Sequence, residues 1–165
     1  MPRTSRLRPM RFDDTANRAP SAKRPVRSRA RSLAMDTHIE PHQHAWSQFT
    51  YCASGLMQVT VMQGGVQTTF IVPSTRAVWI PPQVQHTVVV LEAAELRTVD
   101  IEPAVLPTEW NECRVLVVSK LLRELIHALE GSEVSPREDA LMALTVDEMI
   151  RYPGPGCTHA ASRAR

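Results

Sequence analysis

Three histidines and a glutamine are the residues best suited to chemistry in this chain. The segment Pro41-His42-Gln43-His44-Ala45-Trp46-Ser47-Gln48 sets two imidazoles two residues apart. On a β-strand such residues face the same side. Two imidazoles on one face offer a metal two nitrogen ligands without moving the backbone. Gln48, again at even spacing, continues that face if the strand is unbroken. His86 follows the Pro81-Pro82 turn and begins a strand of its own, so a closed barrel would bring a third imidazole opposite the first pair. The candidate metal set is His42, His44, Gln48 and His86, and imidazole ligands suit a divalent ion such as Ni, Zn or Fe. The same residues could instead hydrogen-bond an organic effector and hold no metal. Trp46 shares its even spacing with His44, and either stacks on a ligand or packs as core.

Other polar residues carry weaker signals. Glu40 is the nearby acid, and its even spacing from His42 could turn it inward as a base, although a solvated strand edge is the simpler reading. His38 could add a ligand from the same strand, and Arg76 could pair with an anion. An exposed histidine and a surface arginine are the plainer alternatives. His127 falls on a helix beside Ile126 and faces solvent or a partner. Cys52, Cys113 and Cys157 are not read as nucleophiles. No catalytic residue is assigned.

The elements that must position these groups read as β-strands followed by helices. From Gln48 to Ile101 short β-rich runs alternate with turn residues. Leu56–Met62 and Val66–Val72 flank Gln63-Gly64-Gly65, a tight-hairpin signal. Arg76–Ile80, His86–Leu91 and Glu95–Ile101 follow, with no helices between them, which argues for a sandwich or barrel. Cys113–Val118 is one more short strand. Leu121, Leu122, Leu125, Ile126 and Leu129 then fall on one face of a helix capped by Ser119 and stopped at Gly131. A second helix spans about Pro136 to Arg151, with Ser135 and Glu138 forming a capping box. The leucine face is either the barrel's own cover or a homodimer interface, with Met142 and Met149 as adaptable contacts.

Length allows one domain with tails. The chain divides into a disordered basic tail (1–34), a barrel (35–107), a last strand with a helical dimerisation segment (108–152) and a disordered tail (153–165). Residues 1–31 carry ten Lys/Arg against two Asp, and the remainder nine Lys/Arg against fifteen Asp/Glu. The body therefore reads as mildly acidic and lacks the electrostatic footprint of specific DNA binding. The basic stretch reads as a solvated tail, or as sequence ahead of a start at Met35. No apolar run is long enough to cross a bilayer and no signal-peptide core follows the N-terminus. Three widely spaced cysteines fit a reducing cytoplasm.

The histidine segments resemble the two cupin motifs. His42, His44, Gln48 and Gly55 fall at the intervals of G-x5-H-x-H-x3-4-E-x6-G, with Gln in place of Glu. Pro81 and His86 match P-x-G-x2-H-x3-N, with Gln83 in place of Gly and Val90 in place of Asn. Pro41–Gln48, Tyr51 to Gly55, Arg76–His86 and Cys113–Ile126 further resemble the N-terminal sensor half of AraC-type transcription regulators, over about Met35 to Arg151. That resemblance implies a double-stranded β-helix (a jelly-roll barrel) followed by two α-helices, an effector pocket, and dimerisation through helices. It also implies a separate helix-turn-helix domain, which Tyr152–Arg165 is too short to hold. A stand-alone metal-dependent cupin enzyme, a dioxygenase or isomerase, is the alternative.

Overall fold

The computed structural model describes residues 8–10 and 19–151. In chain order these form β1 (Arg8–Met10), β2 (Val26–Leu33), β3 (Thr37–His42), β4 (Ser47–Gln63), β5 (Val66–Val72), β6 (Arg76–Ile80), β7 (Gln85–Ile101), a 3-10 turn at Pro103–Val105, β8 (Arg114–Val117), α1 (Lys120–Leu129) and α2 (Pro136–Arg151). The run of short strands expected between Gln48 and Ile101 is corrected in one respect. β4 and β7 are continuous 17-residue strands that pair antiparallel along most of their length.

Both long strands contribute to two layers. Residues 47–54 of β4 and 94–101 of β7 lie in a layer completed by β2 beside β7, and by β6 and β8 beyond β4. Residues 57–63 of β4 and 85–90 of β7 lie in the other, flanked by β5 and by β3 with β1. The change of layer falls where the β4–β7 register shifts repeatedly, between Cys52 and Met57. Gly55 sits there at φ +86°, and a Cβ on it would lie 2.3 Å from the carbonyl oxygen of Ala93. Only glycine lets the two backbones approach this closely. Among the described residues the hydrogen-bonded path runs from β1 to β8 without closing, so the fold is a jelly-roll sandwich rather than a sealed barrel.

Strand alternation divides the side chains. Cys52, Val78, Ile80 and Leu96 join Met57, Val59, Val61, Val88 and Val90 in the core between the layers. Phe49, Tyr51, Trp79, Val99 and Leu116 face the other way, against Leu122, Ile126, Met142 and Met149 of the helices. Trp79 and Ile80 are thus core, as expected. Leu122, Leu125, Ile126 and Leu129 are buried within the chain, and Leu121 is exposed. Each buried leucine or isoleucine contributes about 1.5–3 kcal/mol, so this stripe holds α1 to its own sheet. Of the two expectations for the Leu121–Leu129 face, that of a cover for the chain's own sheet holds at Leu122, Leu125, Ile126 and Leu129, and Met142 and Met149 are likewise buried.

The helix ends follow the sequence signals with one exception. The Ser119 hydroxyl accepts from the Leu122 amide at 3.0 Å, and Gly131 adopts φ +67° just past α1. The Ser135 hydroxyl accepts from the Glu138 amide at 3.2 Å. The Glu138 carboxylate does not complete a capping box. It turns to Arg24, which donates through Nε at 3.0 Å and through Nη2, and it accepts from the Ser132 hydroxyl at 2.7 Å. A guanidinium is a stronger partner than one amide, and it holds this carboxyl below its usual range.

The basic N-terminus is the largest correction. Val26–Leu33 is not disordered but pairs with β7 from Val26 opposite Ile101 to Leu33 opposite Ala94. Arg8–Met10 pairs with β3. The rest of residues 1–18, and the tail expected at 153–165 with Cys157, lie outside the described residues. The division into an acidic body and a basic tail fails accordingly, since Arg24, Arg27, Arg29 and Arg31 belong to the folded body.

Candidate ligand and metal site

The three histidines converge, though not by the route that even spacing on one strand implies. β3 ends at His42, and residues 43–46 form an irregular connection to β4. Within β3 the pairing with β7 slips between Ile39 and His42. Ile39 and His42 consequently line the same cavity although they are three residues apart. Glu40, at even spacing from His42, is on a different phase, and its backbone carbonyl accepts from His42 Nδ1 at 2.7 Å. His44 is carried by the connection, which is pinned to the turn before β7 by a hydrogen bond from the Gln83 amide to the His44 carbonyl at 2.7 Å. Gln83 occupies the glycine position of the second motif and takes a left-handed φ of +63°. His86 lies near the start of β7, directly opposite both His42 on β3 and Val61 on β4.

The rings of His42, His44 and His86 lie with centroids 4.2–5.1 Å apart. One nitrogen from each can be chosen so that all three fall within 4.8 Å of one another. Three imidazoles this close could hold a divalent ion between them. The Nδ1 atoms of His42 and His86 face backbone carbonyls, that of His86 meeting Val84 at 2.9 Å, so both must be protonated there. This fixes Nε2 as the lone-pair nitrogen, the second-shell arrangement usual for metal-bound imidazole. His86 is 1% exposed, and its Nε2 has no hydrogen-bond partner.

Electrostatics keep two of the three rings neutral. Burial lowers the His44 pKa to about 3, helped by His86, His42 and Arg29, with the side-chain contact to Gln48 acting the other way. Burial, then the neighbouring His42, lowers that of His86 to about 4, against the hydrogen bond to Val84. A metal would meet His44 and His86 already in their uncharged form.

Gln48 reaches the cluster from β4 with its amide nitrogen. That nitrogen lies 3.2 Å from His44 Nε2 and donates to Asp100 Oδ1 at 3.1 Å. Asp100 is an acceptor only, which fixes the amide's orientation. Its other oxygen is 2.8 Å from Arg29 Nη2. Trp46 stacks on His44 at 5.2 Å and 14°, so His44 covers one indole face, and its buried Nε1 lacks a hydrogen-bond partner. His38 and Arg76 pair in their strands and are not part of the cluster. His127 is exposed and lies 3.5 Å from Glu130. Cys52 and Cys113 are buried, and burial pushes the Cys52 thiol up to about 11.

A cavity of about 20 Å³ adjoins the cluster, lined by Arg29, Arg31, His42, Gln48, Thr50 and Thr98 among others. On the other side of His86 a more open cleft of about 180 Å³ is rimmed by Pro41, Thr60, Met62, Gln67 and Gln85. Arg29, Arg31 and Asp100 are not singled out by motif or composition. The signal that exposes the two arginines is the alternation Val-Arg-Ser-Arg-Ala-Arg-Ser-Leu at 26–33, a period-2 strand pattern inside a basic stretch.

A family model described as the AraC-like ligand binding domain matches residues 25–146. The HTH-type transcriptional regulator NimR of Escherichia coli (strain K12) is 33% identical over 116 residues, 68% of this chain. The chain spans 41% of the length of that relative. Among solved structures, oxalate decarboxylase from Bacillus subtilis is similar at a TM-score of 0.46 and 18% identity, covering 79% of this chain and 31% of that one. Hydroxypropylphosphonic acid epoxidase from S. wedmorenis is similar at 0.41 and 13%, covering 47% and 44%. No helix among the described residues is long and apolar enough to cross a membrane.

Proposed function

The chain belongs to the family of AraC-like ligand-binding domains, and from that membership we propose that it is the sensing domain of a cytoplasmic transcription regulator, reading its signal at a divalent metal ion held by His42, His44 and His86. One observation carries the metal reading: three imidazoles converge, and the buried Nε2 of His86 has no other partner. A buried polar atom left unsatisfied costs about 1–3 kcal/mol, which a metal would relieve. The ion would supply a Lewis-acidic centre, or be the signal itself. Gln48 would hold His44 in place rather than ligate, because offering its oxygen would turn its nitrogen away from Asp100. Trp46 would steady His44 and offer its indole N–H to an effector.

Binding rather than turnover is the reading we favour. Asp100, the carboxylate behind Gln48, is committed to Arg29 and Gln48 and is poorly placed to act as a base. A homodimer would use exposed apolar residues such as Leu121 and Leu144.

The test is metal analysis of the purified chain, followed by titration of the metal-free protein with Ni, Zn and Fe. One ion per chain is expected. His86→Ala should weaken binding by about 100-fold or more while circular dichroism stays unchanged, since losing a second-shell contact alone costs about 10–100-fold. No uptake by the parent chain, or full uptake by both His86→Ala and His42→Ala, would overturn the metal reading.

A further inference from the structure

We infer that two copies of the chain pair edge to edge through β5, antiparallel across a two-fold axis at Thr69, so that their β5-bearing layers join into one sheet. The contact involves neither the histidines nor an effector. It lies in the layer opposite the one the helices pack on, so it stands apart from Leu121 and Leu144.

The edge is open and undefended. β1, β2, β5 and β8 each pair with a single neighbour among the described residues. In an antiparallel ladder every second residue turns its backbone N–H and C=O away from its partner. β5 therefore presents such groups along the side that β4 does not take. Proteins blunt exposed edges with charges, proline, bulges or short strands. β1 is three residues long and carries Arg8, β2 carries Arg27, Arg29 and Arg31, and β8 is four residues long and carries Arg114. β5, Val66-Gln67-Thr68-Thr69-Phe70-Ile71-Val72, has no charge and no proline. Its register with β4 runs from Met57 opposite Val72 to Gln63 opposite Val66 without a shift. All of its residues but Gln67 are β-branched or aromatic, the types that suit a strand. Val66 and Ile71 are 50% and 55% exposed.

The order of residues within β5 selects a second copy as the partner. Turned antiparallel about Thr69, the strand sets Val66 against the partner's Val72, Gln67 against the partner's Ile71 and Thr68 against the partner's Phe70. The two Thr69 side chains meet at the axis. Phe70 and Val72 pack on the core between the layers, whereas Gln67, Thr69 and Ile71 alternate with them on the exposed side. This register keeps inward residues opposite inward ones, so the joined sheet continues both faces. Apolar, aromatic and Thr–Thr cross-strand pairs of this kind are favourable, and no like charges meet. A charged partner would find no counter-charge along β5 to steer it. A single seven-residue edge buries less than the roughly 1,200 Å² of a standard interface, so the pair is weak and forms as concentration rises.

Sedimentation velocity of the full chain over a range of concentrations reads this contact. The parent should pass from monomer to dimer. Thr69→Lys puts two ammonium groups at the axis and should weaken the dimer at least fivefold, and Thr69→Glu should do the same with two carboxylates. Thr69 is exposed, so circular dichroism should be unchanged in both. Mixing the two variants should restore a dimer, because opposite charges then face each other across the axis. Leu121→Lys should leave the association through β5 in place. A parent that stays monomeric throughout, a dimer indifferent to Thr69→Lys, or a mixture that fails to associate overturns the proposal. A dimer lost in Leu121→Lys and kept in Thr69→Lys overturns it as well, and assigns the contact to the helical side.

Discussion

At His44 and His86 burial and protonation oppose each other, which gives the metal-free protein a defined pH response. Both folded-state values, about 3 and about 4, lie below the ordinary 6.5. As pH falls below about 6.5 the unfolded chain takes up protons that the folded chain refuses, so stability declines with falling pH. The loss continues through the folded values and then levels off. The slope reaches about 1.4 kcal/mol per pH unit for each histidine. Urea unfolding at intervals from pH 7 to 5, above the range where carboxylates dominate, should show this decline, and His86→Ala should remove about half of it. A flat profile over that range would contradict the burial described for these rings. The identities of His42, His44 and His86 as a group were legible in the sequence, because imidazoles at motif spacing are rare. Their geometry was not. A slipped register in β3 and an irregular connection bring the rings together, so even spacing grouped these residues for a reason that does not hold. That same slip separates Glu40 from His42.

Between elements, the decisive point is the crossing of β4 and β7 at Gly55. Two 17-residue strands can serve two layers only if they bend together, and the bend brings Gly55 against the Ala93–Ala94 backbone. Gly55→Ala would place a methyl group 2.3 Å from the Ala93 carbonyl oxygen, at a φ that L residues avoid. Backbone strain and overpacking each cost about 1–3 kcal/mol. Chemical denaturation should therefore record a loss of about 3 kcal/mol or more, and a loss under 1 kcal/mol would show that the strands can part. The hairpin at Gly64–Gly65, the strand Arg76–Ile80 and the caps at Ser119 and Ser135 were readable because short-range chemistry sets them. The continuity of β4 and β7 was not, since Ser54-Gly55 and Glu92-Ala93-Ala94 read locally as breaks.

Across the whole molecule, β2 closes one edge and supplies Arg29 to Asp100. A chain begun at Met35 would lose the partners of 94–101 on that side, the buried Val26 and Leu33, and the cation beside a carboxylate that is 1% exposed. Removing one member of a buried ion pair costs about 3–5 kcal/mol, a large part of the roughly 5–15 kcal/mol that holds a domain together. Residues 35–165 expressed alone should be insoluble or lack a cooperative thermal transition. A melt matching that of the full chain would show β2 to be dispensable. Arg24, bound to Glu138 at the start of α2, ties the same segment to the helical layer.

The amino-acid sequence alone determined a mainly β domain ending in two helices, the hairpin and caps, and which histidines come together, because those features depend on residue type and short spacing. Tertiary structure alone decided that residues 26–33 are a strand, that the leucine stripe is spent inside the chain, that Gln48 presents nitrogen, and that arginines stand beside the imidazoles. Each of these depends on which distant segment lies opposite, and a strand's worth is set by its hydrogen-bonded neighbour rather than by its own composition.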